Sequence, residues 1–169
     1  MNWTKEIIPI KQLATGETLN ITTHTLIGTT EGPHIHIQAS VHGAELQGNA
    51  VILQLMKYLQ HTKLHGSITF IPLANPFATN NKHGTYTYGR YNPVTGHNWN
   101  RNFVDIIGIT KTDLTQFCED NFDLPWHELK LKYKELISNL IEMYAEKISL
   151  NKTINDNNKL NLILQKLAV

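Results

Sequence analysis

The sequence lacks several features that mark particular classes of protein. Its 169 residues include a single cysteine, Cys118, which excludes an internal disulfide bond and is typical of a reducing compartment. Charged residues make up only 17% of the chain, and 15 basic residues against 14 acidic ones leave a formal net charge of +1. This balance gives no electrostatic basis for binding nucleic acid or an anionic membrane surface.

Long apolar runs are also missing. No stretch approaches the roughly 18 apolar residues that a membrane-spanning helix needs. The first twelve residues lack the basic start and apolar core of a signal peptide. We therefore expect a cytoplasmic, soluble protein whose partners include neither nucleic acid nor membrane. Nine histidines, in contrast, are many for this length, and histidine is the commonest metal ligand in proteins.

The first half of the chain has the pattern of an α/β fold. Residues 18–28 and 33–41 are predicted strands, and in the second of these apolar residues alternate with polar ones. Helical spacing of apolar residues follows over 44–60, and 67–74 is a mostly apolar run that predicts a covered strand. Strand, helix and strand imply a parallel pair with a right-handed crossover. We predict one α/β domain over residues 1–169, with a mixed, largely parallel sheet flanked by helices.

The second half is predicted to be a long loop followed by helices. Residues 75–101 show no period of 2 or 3.6, and a loop of this length in a compact domain is usually functional or disordered. Its tyrosines, tryptophan and arginines argue against disorder. From about Pro125 one apolar face at helical spacing predicts a long helix, and a shorter helix is expected from Leu160 almost to Val169.

A candidate metal pair lies where the predicted strand 33–41 ends. In the segment SVHGAELQGN, His42 and Glu45 are three residues apart, with Gly43 permitting a tight turn between them. Zinc binds imidazole nitrogen and carboxylate oxygen, and ligands in open α/β sheets bind at the carboxyl ends of strands. By itself the H-x-x-E pattern is weak, because such pairs occur by chance in histidine-rich chains.

A set of ordered motifs makes the resemblance to a known family specific. H-G-x-E-x-x-G follows a strand, a second strand ends in N-P, and RYNPVTGHNWNRNF follows. From about Ile35 to Phe103 the chain resembles the zinc carboxypeptidase superfamily, and within it the succinylglutamate desuccinylase/aspartoacylase family. The resemblance implies a zinc-carboxypeptidase-like fold, a Zn²⁺ cofactor and hydrolysis of an amide or ester bond in a small carboxylate-bearing substrate.

The resemblance also assigns roles to individual residues. It implies that His42 and Glu45 are two zinc ligands, that Arg101 with Asn100 binds the substrate carboxylate, and that Arg90 polarises the scissile carbonyl. A guanidinium offers a planar fork to a carboxylate and stabilises a developing oxyanion. Trp99 occupies a position where the family usually has leucine, so we expect it to be a packing residue.

Two expected parts of the family site are missing from the sequence. The resemblance implies a third zinc ligand, a histidine in a D-L-H strand, and a later glutamate as general base. The last histidine, His127, lies in a predicted helix start, and the chain ends after a helix that resembles the one before the D-L-H strand. We expect the chain to be a truncated, N-terminal portion of a catalytic domain, whether by natural truncation, an interrupted reading frame or preparation as a fragment.

Two functions stay open at this point. In the first, the chain is part of a zinc hydrolase whose substrate is a small-molecule carboxylate. In the second it is a catalytically inactive fragment or an associating α/β module, because it lacks the third ligand and the base. A sheet cut in the middle exposes an edge strand, which predicts pairing either with another copy or with the missing C-terminal half.

A competing metal pair is His34 and His36, which share one face of the predicted strand. H-x-H pairs hold metals in other hydrolases, but nothing else in the chain completes such a site. We therefore interpret the two histidines as lining a polar or covered face of the sheet.

Overall fold

The computed structural model describes residues 2–80, 89–149 and 155–169. The chain divides into two compact units, residues 1–101 and 102–169. The prediction of one domain over the whole chain stays a prediction. None of the helices in the described ranges is long and apolar enough to cross a membrane.

The first unit is built on one mixed sheet. Its strands are β1 (Asn2–Gln12), β2 (Thr18–Ile27), β3 (Thr30–Gln38) and β4 (His65–Ile71). They lie in the order β1-β2-β4-β3, with β1–β2 and β2–β4 antiparallel and β4–β3 parallel. The α/β class and the parallel strand pair are confirmed, but the expectation of a largely parallel sheet is wrong for the described residues.

One of the two antiparallel pairs is a hairpin of β1 and β2, and β1 was not predicted from the sequence. β1 and β2 are joined by a short turn in which the Leu13 N–H donates to the Glu17 carbonyl over 2.8 Å. Gly16 takes a φ of +88° in this turn, a backbone conformation that side chains with a Cβ rarely adopt. The hairpin makes β1 antiparallel to β2, β2 is also antiparallel to β4, and β3 and β4 form the one parallel pair of the described sheet.

A helix covers one face of the sheet. Helix α1 (Gln47–Leu59) begins three residues later than the apolar spacing predicts and presents Ile52 and Leu59 to the strands. These two side chains form a buried cluster with Leu26, Ile68 and Phe70. Burying large aliphatic and aromatic side chains contributes roughly 1.5–3 kcal/mol each, so this cluster stabilises the packing of α1 on the sheet.

The predicted long loop contains regular structure at its beginning. Residues 76–80 form a short helix, α2 (Pro76–Asn80), and residues 81–88 lie outside the described part of the chain. Further on, Tyr91 and Asn98 form an isolated antiparallel bridge. The predicted absence of long periodic elements holds for the described residues of the segment, but its two ends have fixed backbone conformations.

The second unit is helical within its described residues. Two short helices, α3 and α4, were not predicted, and each begins at an aspartate whose carboxylate accepts backbone N–H groups. The predicted long helix and final helix are confirmed. The elements are α3 (Ile106–Thr110), α4 (Leu114–Glu119), α5 (Trp126–Ser149) and α6 (Asp156–Ala168). The core of this unit contains Ile106, Leu140, Ile141 and Leu162.

Candidate metal centre and carboxylate site

The candidate site begins where β3 ends, in a segment that runs beside the chain following β4. The Ala39 N–H donates to the Ile71 carbonyl over 3.0 Å, and the Ala74 N–H donates back to the Ala39 carbonyl over 2.9 Å. Ser40 then adopts a φ of +57°, and its hydroxyl hydrogen-bonds the Asn49 side chain. This bend ends the strand and directs the next residues toward the carboxyl edge of the sheet.

Asn75 fixes the backbone immediately before His42. Its side chain is fully buried, donates to the Val41 carbonyl over 2.8 Å and accepts the Ala78 N–H over 3.0 Å. One amide thus joins the segment after β3 to helix α2. No role was predicted for Asn75 from the sequence, although an N-P dipeptide at a strand end is typical of a turn.

Two glycines allow the segment to approach the distant loop closely. The Gly43 N–H donates to the Gly89 carbonyl over 2.8 Å. A Cβ on Gly89 would lie 2.4 Å from the Ala44 nitrogen, and a Cβ on Gly43 would lie 2.4 Å from the Ala78 carbonyl carbon. Only residues without a side chain fit at this contact, which brings residues 89–101 against the H-G-x-E segment.

His42 is held between two oxygen atoms. Its Nδ1 lies 3.0 Å from Glu45 Oε1, and its Nε2 lies 2.8 Å from Asn98 Oδ1. The same Asn98 oxygen accepts the Asn100 backbone N–H over 2.9 Å, so it is an acceptor and His42 Nε2 donates to it. With His42 only 5% exposed, the ring orientation is fixed and Nδ1 is the nitrogen that faces Glu45.

This arrangement fits two positions of a zinc site. Neighbouring ligands at 2.0–2.2 Å from a tetrahedral zinc ion are roughly 3.3–3.6 Å apart, a little more than the 3.0 Å between His42 Nδ1 and Glu45 Oε1. Histidines that bind metals usually donate their other ring N–H to an oxygen, as His42 does to Asn98. Asn98 belongs to the segment RYNPVTGHNWNRNF, but no function was predicted for it from the sequence.

Arg90 contacts the same carboxylate. Its Nη1 lies 3.5 Å from Glu45 Oε1, and both side chains are about half exposed. The Arg90 carbonyl accepts the Trp99 N–H over 3.1 Å, and Tyr91 bridges to Asn98, so the two ends of this loop are paired. The pairing brings both residues to the candidate metal pair: Arg90 contacts Glu45, and Asn98 contacts His42.

Asn92 organises the turn between these paired ends. Its side-chain oxygen accepts the Val94 and Thr95 N–H groups over 2.9 and 3.3 Å, and its backbone N–H donates to the His97 carbonyl over 2.8 Å. Because Asn92 is buried, the turn is anchored to the body of the unit. The predicted functional loop is therefore an ordered scaffold over residues 89–101.

The prediction that Trp99 is a packing residue is confirmed. Trp99 is 1% exposed, and its ring is stacked on Phe77 of α2 with centroids 5.8 Å apart and planes 7° apart. The two residues that are expected to bind the substrate carboxylate, Asn100 and Arg101, directly follow Trp99 in the chain. The Asn100 N–H is tied to Asn98, and Arg101 Nη1 donates to the Asn100 carbonyl over 2.6 Å.

The competing H-x-H pair has ordinary polar contacts on the sheet. His34 Nδ1 lies 2.7 Å from Ser67 Oγ, and His36 Nε2 lies 3.1 Å from Gln38 Oε1. These contacts support the interpretation of a polar sheet face. Across the parts of the chain that the structure describes, no group of three or more His, Cys, Asp or Glu side chains could hold a metal ion.

His127 lies in the first turn of α5, as predicted, and not on a strand. Its side chain is 75% exposed, and its Nε2 lies 3.7 Å from Glu128 Oε1. It also belongs to the second unit, whereas the His42–Glu45 pair belongs to the first. Nothing in its surroundings supports a role as third ligand.

Comparison with known proteins identifies the family. The model of the succinylglutamate desuccinylase/aspartoacylase catalytic domain matches residues 31–117, just over half of the chain. The chain belongs to this family. The matched range contains every residue of the candidate site, from His42 to Arg101. No curated protein matches the chain.

Two solved structures of family proteins resemble the chain over nearly its whole length. A protein of Shewanella frigidimarina NCIMB 400, whose name places it in this family, shares 34% identity with a TM-score of 0.86. A family protein of Shewanella amazonensis SB2B shares 35% identity with a TM-score of 0.84. Each match covers 98% of this chain and 43% of the solved one, so the chain spans less than half the length of these relatives.

Proposed function

We propose that the chain is part of a zinc-dependent hydrolase that cleaves an amide or ester bond in a small substrate with a free carboxylate, such as an N-acyl amino acid. One observation carries the proposal. In a chain of this family, His42 Nδ1 and Glu45 Oε1 converge to 3.0 Å at the carboxyl end of a sheet strand. That edge is where open α/β sheets bind their ligands.

His42 and Glu45 would hold the ion through Nδ1 and Oε1. Bound zinc supplies a water whose pKa is lowered to about 7, and therefore a nucleophile at neutral pH. Asn98 keeps the imidazole in the tautomer and orientation that leave Nδ1 directed at Glu45. The close packing at Gly43 and Gly89 holds the ligand segment and the loop together.

The arginines supply the positive charge that the substrate requires. Arg90 contacts Glu45, so its half-exposed guanidinium is within reach of a carbonyl bound beside the metal pair, where it would stabilise the developing oxyanion. Arg101 with Asn100 would bind the free carboxylate, since a guanidinium can donate two parallel hydrogen bonds to it. Both assignments follow the family motif residue by residue.

A further polypeptide is part of this proposal. Catalytic zinc sites use three protein ligands, and the described residues supply two. β3 is the outer strand of the sheet on the side of its parallel pair. A strand added parallel to β3 would end beside His42, so we propose that this edge pairs with the C-terminal half of the catalytic domain; pairing with another copy is the alternative.

A non-catalytic role is the second candidate. It is favoured by the lack of any three-ligand group in the described ranges, because two ligands hold zinc weakly and no general base is identified. Loss of general-base catalysis lowers rates by roughly 10²–10⁴-fold. In this case the chain is an associating α/β module with little or no turnover.

Zinc content tests the metal assignment. Purified wild-type protein and the double variant His42→Ala/Glu45→Ala are dialysed to equilibrium against buffer that contains zinc, and the zinc bound to each protein is measured. The matched control is His127→Ala/Glu128→Ala, which removes an exposed histidine–glutamate pair from α5. We expect zinc loss only in the first variant, and equal zinc in all three proteins would refute the assignment.

Turnover separates the two candidate functions. The chain is assayed with zinc against a panel of N-acyl amino acids, with the His42→Ala/Glu45→Ala variant as the blank. Turnover that disappears in the variant establishes an enzyme and requires another source of the third ligand. Zinc binding without turnover favours the module, or a hydrolase that needs its remaining polypeptide.

A further inference from the structure

Glu45 Oε1 has two nitrogen neighbours at once. His42 Nδ1 lies 3.0 Å away and Arg90 Nη1 lies 3.5 Å away. The two contacts converge on one oxygen atom. The histidine is buried, whereas the arginine side chain is 52% exposed, so only the arginine can move away from the carboxylate without repacking.

The same oxygen is the atom through which Glu45 would bind zinc. A cation at that position and a guanidinium at 3.5 Å compete for the same lone pairs and repel each other. Because the arginine contact is solvent-exposed, it is weak enough to be displaced. The metal and Arg90 are therefore alternative partners of one carboxylate.

We propose that Arg90 and the metal ion exchange at Glu45. The guanidinium screens the carboxylate before the metal binds and is released from it when the metal binds, which frees its donors for the scissile carbonyl of a substrate and the oxyanion that develops there. This inference rests on the proposed function, because it requires zinc at His42 and Glu45. By linkage, a ligand that holds Arg90 away from Glu45 strengthens metal binding by the same factor by which the metal strengthens the binding of that ligand.

Zinc affinity of Arg90 variants tests the exchange. Dissociation constants are measured by competition with a fluorescent zinc indicator for wild type, Arg90→Gln and Arg90→Lys. Removal of a competing exposed ion pair is expected to tighten zinc binding about two- to fivefold in Arg90→Gln. Arg90→Lys keeps the charge beside Glu45 and is expected to remain near the wild-type value.

Arg101→Gln is the matched control. It removes the same charge from the same loop, but the guanidinium of Arg101 donates to the Asn100 carbonyl. We expect its effect on zinc affinity to be clearly smaller than that of Arg90→Gln. An equal effect of the two substitutions would show a long-range influence of net charge and overturn the exchange.

The remaining outcomes distinguish this inference from the proposed function. Zinc binding that depends on His42 and Glu45 but is unchanged in Arg90→Gln overturns the exchange and leaves the metal assignment standing. Zinc binding that is unchanged in His42→Ala/Glu45→Ala overturns both.

Discussion

The Nε2 atom of His42 lies 2.8 Å from the Oδ1 atom of Asn98, 56 residues further along the chain. The acceptor oxygen is identified by a second donor, the Asn100 backbone N–H at 2.9 Å. Asn98 thus connects the H-G-x-E segment at the end of β3 to the loop that carries the arginines. The orientation of the candidate ligand depends on that loop.

Asn98 is expected to control metal affinity without touching the metal. Asn98→Ala removes the acceptor for His42 Nε2, and loss of such an outer partner typically weakens metal binding about 10–100-fold. Asn98→Asp keeps an acceptor oxygen and should retain most of the affinity. Zinc titration against a competing chelator checks both, and wild-type affinity in Asn98→Ala would contradict the positioning role.

Gly89 is expected to be far less tolerant of a side chain than Gly96. Both have positive φ, +53° and +70°, so alanine at either costs about 1 kcal/mol or more in backbone strain. Only at Gly89 would the new Cβ meet backbone, 2.4 Å from the Ala44 nitrogen. Urea denaturation should show that Gly89→Ala loses about 1–3 kcal/mol more than Gly96→Ala. Equal losses would mean that the close approach does not exist in solution.

The stability of the fold is expected to depend on the aromatic ring of Trp99 but not on its indole N–H. The indole Nε1 is buried and has no hydrogen-bond partner among the residues that the structure describes, so Trp99→Phe removes an unsatisfied donor and leaves an aromatic ring on Phe77. Trp99→Ala creates a cavity and should cost about 3–5 kcal/mol, against about 1 kcal/mol for Trp99→Phe. The control is Trp126→Ala, at a residue 76% exposed, which should change the free energy of unfolding by less than about 0.5 kcal/mol.

His24 is expected to make stability depend on pH. Burial on β2, and secondly the charge of Lys5, lower the pKa of His24 below its ordinary value of 6.5. The unfolded chain therefore binds a proton more readily, so this contribution to stability is complete above pH 6.5 and declines as the pH falls below it.

Urea denaturation of wild type and His24→Gln at pH 8 and pH 5.5 measures this contribution. The free energy of unfolding of wild type should fall more than that of the variant between the two pH values. An identical decrease in both proteins would show that His24 is not responsible.

The elements with a clear period were predictable from the sequence. α1 has regular apolar spacing because it buries one face, and β3 alternates apolar and polar residues although most of it is exposed at the outer edge of the described sheet. The bounds of both elements differ from the prediction by only a few residues. β1 was missed because neither of its faces is consistently buried. Ile7 on this strand is 56% exposed, Pro9 interrupts it, and most of its side chains face solvent. Without β1 the sheet looked more parallel than it is.

The sequence by itself determined that His42 and Glu45 lie just after a strand, because strand periodicity and a three-residue spacing are local properties. It also determined the family, since the motifs are ordered along the chain. Only the tertiary structure decided that Asn98 and Arg90 reach this pair. Those contacts require a buried asparagine, Asn75, to anchor one segment and a glycine-to-glycine hydrogen bond to join it to the other. Such long-range contacts depend on how the backbone folds, which residue spacing does not encode.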